Sequence, residues 1–287
     1  IELDEGYGIQ LSINSIKLLN EIGFNTLKDE EKFNPEKIDF YEIKKEKKIC
    51  DLNIAYFNSE NCKYTTLKRS QLIKFLKDSL DDGLIKYDYN ISKIESVNDN
   101  ICLTFNINDI VKCDYLVISD GVFSKGKSII SNNEIKPIYN NSIAIRGNIS
   151  SSNLNNLNQK NISLFLGSDF HYVVYPLNSD KDFNFIGILK HRLTAEELDN
   201  YDLFNQKSFI QDIKDKLTNK ISSSIFNNLE NTKCFPVFVS KNLYQPKNNI
   251  FLIGDAFFAF SPSFAQGASQ SIEGASELFD NIVNNKN

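Results

Sequence analysis

The stretch Ile250-Phe251-Leu252-Ile253-Gly254-Asp255-Ala256 decides the fold of this chain. Its four leading apolar residues predict a buried strand, which Gly254-Asp255 ends with a carboxylate. A loop containing Pro262 follows, and Gly267-Ala268 then opens a helical pattern. A carboxylate at a strand end can accept hydrogen bonds from sugar hydroxyls, and a helix N-terminus favours an anion or an electron-rich carbonyl. Because Gly267 has no Cβ, a flat ring could also lie against the backbone there.

A second apolar run ends in the same way. Tyr115-Leu116-Val117-Ile118 is short and continuous, as a buried parallel strand would be, and Ser119-Asp120-Gly121 closes it. Ser124 stands three positions beyond the glycine. Asp-Gly after a strand is also a common turn, so this segment carries a functional meaning only together with the first.

Two weaker signals precede these strands. Gly6-Tyr7-Gly8 leads into a helical pattern that Asn14 or Ser15 can cap and that Gly23 ends with a left-handed turn. Arg69 lies at the head of a helix predicted over about 70–80, where it can reach a ligand or simply be an exposed charge.

The middle of the chain differs in character. Its β-rich runs are separated by polar turns and predict an antiparallel sheet over residues 143–149, 162–167, 171–177 and 183–189. A helical segment is predicted over 195–219, with Thr194 and Glu197 as a capping box. Residues 28–48 are charged and contain Pro35, which predicts a loop or an edge of a sheet.

Composition excludes several classes of protein. The formal net charge is −5 with lysines scattered among acidic residues, whereas a nucleic-acid binder needs clustered basic charge. The chain contains no run of about 18 apolar residues, so the sequence predicts no membrane-spanning helix. The five cysteines and two histidines show no metal-ligand spacing, so we expect no metal site. The odd cysteine count favours a reducing compartment.

In order and spacing, these motifs resemble the FAD-dependent aromatic-ring monooxygenases, the group of p-hydroxybenzoate hydroxylase, salicylate hydroxylase and the ubiquinone-biosynthesis hydroxylases. The resemblance implies an α/β fold: a Rossmann-like FAD-binding domain with an inserted β-rich α+β substrate domain. It places the FAD-binding domain at 1–34, 67–134 and 237–287, and the substrate domain at 35–66 and 135–236.

The resemblance also implies a set of cofactor-binding residues. In it, Asp255 holds the ribityl chain of FAD, Asp120 contacts the ribose, and the helix start at Gly267 faces the flavin pyrimidine edge. The full set comprises Gly8, Arg69, Asp120, Gly121, Gly254, Asp255, Pro262, Gly267 and Ala268. No catalytic residue is assigned; the Pro262 loop and His171 are candidates, and His171 also fits a hydrogen-bonded structural role. Ile145-Arg146-Gly147 and the strand after His171 correspond to the sheet that lines the family's active site.

The sequence departs from the family pattern at three places. No Gly-x-Gly-x-x-Gly occurs, and the chain has no methionine, so we expect an N-terminally truncated sequence that is inactive by itself and binds FAD weakly or not at all. Lys127 stands where the family usually has Arg. Phe257 and Phe258 stand where it often has Ala-His, which makes the site more apolar.

By resemblance, the predicted activity is hydroxylation of an aromatic or prenylated aromatic substrate with FAD, NADH or NADPH, and O2. The Phe-rich loop 257–264 favours such an apolar substrate. We expect a cytoplasmic protein for which peripheral contact with the inner face of a membrane stays open. A related flavoprotein halogenase, epoxidase or reductase and a truncated, non-catalytic flavin-fold protein are the alternatives. A plain NAD-dependent dehydrogenase fits less well, because it would not need the terminal Gly-Asp and Gly-Ala helix.

Overall fold

The computed structural model describes residues 7–97, 100–178, 182–218, 223–241, 243–244, 246, 249–262 and 265–284. The strands are β1 Gly8–Leu11, β2 Lys32–Phe33, β3 Lys37–Glu42, β4 Lys47–Asn53, β5 Thr65–Lys68, β6 Ile91–Val97, β7 Asn100–Phe105, β8 Ile110–Cys113, β9 Leu116–Ile118, β10 Ile138–Ser150, β11 Ile162–Leu166, β12 Phe170–Pro176, β13 Asp182–Lys190, β14 Glu230–Val239 and β15 Ile250–Leu252. The α-helices are α1 Ile13–Glu21, α2 Arg69–Asp78, α3 Lys125–Ser131, α4 Ala195–Asp199, α5 Lys207–Thr218, α6 Ser223–Asn227, α7 Gly254–Phe258 and α8 Gly267–Asn284. The mixed α/β fold predicted from the sequence is confirmed.

The chain forms two compact units. The first contains the residues up to Ser79 together with Asn141–Val237, and the second contains Leu80–Asn140 together with the residues from Phe238 onward. The contacts therefore group the early segments of the chain with the large sheet. The domain assignment made from the sequence, which groups 1–34 and 67–79 with the FAD-binding segments, stays a prediction.

A seven-stranded sheet dominates the first unit. Its strand order is β14-β10-β13-β12-β11-β3-β4, and β10, β13, β12 and β11 pair antiparallel in turn. One face carries the main apolar cluster, in which Phe185 and Ile145 of the sheet pack with Ile213 of α5 and Phe226 of α6. The antiparallel sheet expected for the middle of the chain is thus confirmed, and alternation along each strand builds its core.

The prediction of a loop or a sheet edge over residues 28–48 needs correction. They were expected to form a loop or sheet edge, but β3 lies inside the large sheet, parallel to β11 and antiparallel to β4. Its buried Asp39 forms an ion pair with Lys48, at 2.7 Å between Nζ and Oδ1, and accepts a hydrogen bond from Asn161 Nδ2 at 2.7 Å. The ion pair and the hydrogen bond offset the cost of burying this carboxylate. Its charge obscures the strand pattern in the sequence.

Two helix predictions need correction as well. Ser12, rather than Asn14 or Ser15, caps α1, because its Oγ accepts the Ser15 N–H at 3.2 Å. The segment 195–219 is not one helix. The predicted capping box of Thr194 and Glu197 is present, but Asn200 leaves the helical region at φ −100° and ψ 82°, so α4 ends and α5 starts later.

The second unit combines two small sheets. Strands β6, β7 and β8 form an antiparallel meander, and β9 and β15 form a parallel pair. Ile101 and Leu103 of the meander, Ile118 and Leu252 of the parallel pair, and Ala256 of α7 belong to one apolar cluster. This cluster fixes the parallel pair, whose strand ends carry the two aspartates singled out in the sequence.

Candidate functional site

The register of the parallel pair brings the two predicted strand ends together. Ile118 of β9 lies beside Leu252 of β15, and the Ile253 N–H donates to the Ile118 carbonyl at 3.1 Å. Because parallel strands end at the same edge of a sheet, the segments carrying Asp120 and Asp255 leave from the same edge. Ligands of open parallel sheets commonly bind at that edge.

The loop after β9 holds Asp120 by one oxygen. Asp120 Oδ2 accepts the Gly126 N–H at 2.8 Å, and Gly121 takes a left-handed conformation with φ 83°. Ser124 then caps α3 by accepting the Lys127 N–H at 2.9 Å. The Asp120 side chain is exposed, so its other oxygen can face a ligand.

The turn after β15 is tighter. Gly254 has φ 57°, and a Cβ there would meet Ser271 Oγ of α8 at 2.9 Å, so the close approach of the helix requires glycine. Asp255 follows in α7. Although its side chain reaches solvent, desolvation by the surrounding atoms raises its pKa. Hydrogen-bond donors such as hydroxyl groups would stabilise the charged form of this carboxylate.

The start of α8 is open. Apart from the adjoining residues and the backbone of its own helix, no described atom lies within 4 Å of the position a Cβ would take at Gly267, and the helix runs on from there to Asn284. Pro262 precedes it, and its carbonyl accepts the Ala265 N–H at 3.3 Å. The rest of the Phe-rich loop, 263–264, lies outside the described residues.

A hollow of about 820 Å³ lies along β15, α7 and α8. Among its lining residues are Gly254, Asp255, Gly267, Phe257, Phe258 and Leu278. Its volume falls within the range of small-molecule and cofactor sites, and its lining combines apolar surface with the carboxylates of Asp255 and Glu277. Of the predicted cofactor residues, it brings together Gly254, Asp255 and Gly267, while Asp120 and Gly121 follow the neighbouring strand.

The remaining predicted residues belong to the first unit. Gly8 N donates to Asn184 Oδ1 at 2.6 Å, and an added Cβ would lie 2.5 Å from Leu177 Cδ2, so packing inside this unit already requires glycine there. Gly6 lies outside the described residues. Arg69 begins α2 with an exposed side chain, and its backbone N–H donates to the Tyr7 carbonyl at 2.8 Å.

His171 lies on the face of the large sheet opposite the α5 core. It alternates with Tyr172, which points into that core, and shares its own face with Val173 and Tyr175. Burial lowers the pKa of His171, which favours the neutral form of the imidazole. A neutral ring can accept or donate one proton, which suits either role expected for it.

The same face holds a buried polar set that the sequence does not reveal. Tyr64 OH donates to Gln10 Oε1 at 2.9 Å, and Gln10 also bonds the buried Tyr175. Burial raises the pKa of Tyr64 to about 12. The Arg146 guanidinium lies 5.9 Å from the ring centres of both Tyr7 and Phe235. The sequence indicated only Arg146 and the strand after His171, because Gln10 and Tyr64 come from segments distant in sequence.

Comparisons with known proteins were made at three levels. No family model matches the chain, and none of the curated proteins matches it significantly. Solved structures do match. HpxO of Klebsiella pneumoniae, complexed with FAD and uric acid, has 16% identity and a TM-score of 0.73, over 94% of this chain and 68% of that chain. A 2,6-dihydroxypyridine-3-hydroxylase from Arthrobacter nicotinovorans has 14% identity and a TM-score of 0.79, over 96% of this chain and 73% of that chain. A salicylate hydroxylase in a substrate complex has 14% identity and a TM-score of 0.76, over 94% of this chain and 70% of that chain.

The chain has the fold of the FAD-dependent aromatic hydroxylases. In this chain β9 and β15 are far apart in sequence but neighbours in the sheet, and an aspartate follows each of them. Within the described residues, no group of three or more potential ligands could hold a metal ion. None of the helices described is long and apolar enough to cross a membrane.

Proposed function

We propose that this chain works as a FAD-dependent monooxygenase that hydroxylates an aromatic ring with NAD(P)H and O2. The observation that carries the proposal is the shared edge of β9 and β15, where Asp120 and Asp255 leave the sheet and the open start of α8 borders a cofactor-sized hollow. The shared fold supports the same activity, because proteins with this fold include FAD-dependent aromatic hydroxylases.

FAD fits the residues that are present. Its sugar hydroxyls suit the exposed oxygen of Asp120 and the carboxylate of Asp255, and its flat ring suits the Cβ-free surface at Gly267. A carbonyl-bearing ring edge that gains negative charge is stabilised by the N–H groups of a helix start. We therefore assign Asp120, Gly121, Gly254, Asp255, Pro262, Gly267 and Ala268 to the cofactor. Residues 1–34, 67–134 and 237–287 would form the FAD-binding domain, and 35–66 and 135–236 the substrate domain.

When bound, FAD supplies the redox and oxygen chemistry. The chain itself would orient the ring and keep water away from it. The apolar side chains of Phe257, Phe258 and Leu278 around the hollow suit the second task. His171 and the Pro262 loop are the candidates for positioning or proton transfer on the substrate side. Burial favours the neutral form of His171, which can exchange a proton.

The first test measures FAD binding in the full-length protein, including any residues that precede Ile1. D120N and D255N are compared with D114N, which changes an exposed carboxylate at the opposite end of the same strand as Asp120. Loss of a hydrogen bond to a charged group costs about 1.5–3 kcal/mol, so both site variants should bind FAD at least about tenfold more weakly. D114N should bind like the wild type. A protein that takes up no FAD, or variants that all bind equally, would contradict the proposed site.

The second test separates hydroxylation from halogenation, epoxidation and reduction. Substrate-dependent NAD(P)H oxidation is followed together with product mass, using small phenols and hydroxylated heterocycles as substrates. Hydroxylation and epoxidation each add one oxygen atom, which isotopic O2 labels, and the NMR spectrum of the product separates a ring hydroxyl from an epoxide. A product that contains a halide or no label would assign another reaction to the same cofactor.

A further inference from the structure

Lys127 carries a buried positive charge that the proposed site does not explain. Its residue is 3% exposed, although it belongs to the short helix α3. Burying an ammonium group costs free energy unless an acceptor compensates for it. Its Nζ donates to the carbonyl of Phe257 at 3.5 Å. The buried charge is thus directed at the backbone of α7, which lies in a different segment of the chain.

Each end of this contact leads to a residue assigned to the cofactor. Lys127 follows Gly126, whose N–H binds Asp120 Oδ2 at 2.8 Å. Phe257 lies two residues after Asp255 in α7. One side-chain contact therefore joins the loop after β9 to the turn after β15.

The acceptor is favourable for a cation. The last carbonyls of a helix lack partners inside the helix and form its negative end. Phe257 is the penultimate residue of α7. The residue after α7 is also held, because Ser240 N donates to the Ala259 carbonyl at 3.0 Å and Ala259 N donates to Ser240 Oγ at 2.9 Å. Lys127 supplies the link to the loop that carries Asp120.

We propose that Lys127 is a positioning residue of the flavin site: its ammonium holds the turn that carries Asp255 against the loop that carries Asp120, so that both carboxylates keep their places at one edge. The consequence for FAD binding rests on the proposed function, whereas the contact itself does not. Lysine thus has a structural use at the position where the family usually has arginine.

The charge of Lys127 can be tested through pH. Burial lowers the pKa of Lys127, and the nearby Asp120 carboxylate opposes this by raising it. The other charged groups around it are Glu134, Lys136 and Lys241, which line a hollow of about 230 Å³ that Lys127 also borders. The ammonium should therefore lose its proton at a lower pH than an exposed lysine, whereas an arginine would stay charged.

The experiment compares K127M and K127R with K125M, which removes an exposed charge from the same helix. Amide hydrogen exchange over 254–259 is measured without cofactor, and FAD affinity is measured against pH in the full-length protein. K127M should speed exchange over 254–259 and weaken FAD binding about tenfold, as loss of one charge-assisted hydrogen bond predicts. K127R should restore both, and its FAD affinity should lack the alkaline decline expected of the wild type. K125M should match the wild type.

Unchanged exchange in K127M would overturn the link between the two segments, whether or not the protein binds FAD. Faster exchange with unchanged FAD affinity would overturn the positioning role while keeping the link. An equal defect in K127R and K127M, or the same alkaline decline in K127R as in the wild type, would overturn the role of the charge. Absence of FAD from the wild type would instead count against the proposed function, and the exchange result would still stand.

Discussion

The two units differ in how completely the apolar side chains of their helices and strands are shielded from solvent. In the first unit, the large sheet buries Phe185 and Tyr172 fully beneath α5 and α6. In the second unit, the parallel pair buries Ile118 and Leu252, but α8 leaves Phe279 65% and Val283 47% exposed. The proposed cofactor residues at Asp120, Asp255 and Gly267 all belong to the less covered unit. A ligand that binds there would add stability where packing supplies least, since binding to the folded form alone stabilises it.

The largest expected effect tests the packing side of this comparison. Phe185 is 0% exposed, and its ring lies 5.4 Å from that of Tyr172 and 5.1 Å from that of Phe226. F185A should lower the free energy of unfolding of the first unit by about 3–5 kcal/mol, measured by urea denaturation. The matched truncation F279A in α8 should change stability by less than about 0.5 kcal/mol. Equal losses in both variants would show that α8 is packed as tightly as the sheet.

A pair of glycine variants should give the next largest effect. In G8A the new methyl group would lie 2.5 Å from Leu177 Cδ2 and 2.8 Å from Asn184 Cβ, so the first unit should lose about 1–3 kcal/mol. In G274A nothing lies within 4 Å of the added atom, and α8 should gain about 0.5–1 kcal/mol because alanine is the better helix former. Thermal unfolding of both variants measures the contrast. A harmless G8A would mean that the strand can move away from β13.

The local parts of the fold could be predicted from the sequence because local rules decide them. The strand at Ile250, the glycine turn at Gly254 and the helix from Gly267 follow from an apolar run, a residue able to adopt positive φ and a helical period. The capping box at Thr194 follows from spacing alone. Each of these depends on neighbours within a few residues.

The rest depends on residues distant in sequence. β3 reads as a charged loop because Asp39 acquires its partners Lys48 and Asn161 only in the folded chain. Gly8 suggested an approach to a ligand, whereas the structure shows protein atoms of Leu177 at that position. The link from Lys127 to Phe257 spans 130 residues, and no spacing rule could have indicated it.

A smaller effect concerns the proposed site itself. Desolvation raises the pKa of Asp255 in the folded state, so the folded chain holds this proton more tightly than the unfolded chain. The ionised carboxylate therefore lowers stability above its folded pKa, and stability is recovered as the pH falls through that value. D255N should make the second unit more stable at neutral pH and remove this pH dependence, while FAD binds more weakly. Denaturation followed against pH, with D114N as control, measures it; a D255N variant less stable than the wild type would mean that the carboxylate has a stabilising partner.

The smallest expected effect concerns the first unit and tests whether a buried hydroxyl group in its core has a hydrogen-bond partner. Tyr172 is 0% exposed, its ring stacks 4.3 Å from that of Phe165, and its hydroxyl has no hydrogen-bond partner among the described residues. Removing a buried hydroxyl that has no partner is neutral or favourable, so Y172F should leave the free energy of unfolding unchanged or raise it by up to about 1 kcal/mol. Y64F removes a hydroxyl that donates to Gln10 Oε1 and should cost about 1–2 kcal/mol. Urea denaturation of the two variants in parallel makes the comparison. If Y172F costs as much as Y64F, the core beneath the large sheet supplies an acceptor to Tyr172, and its covering includes polar contacts as well as apolar packing.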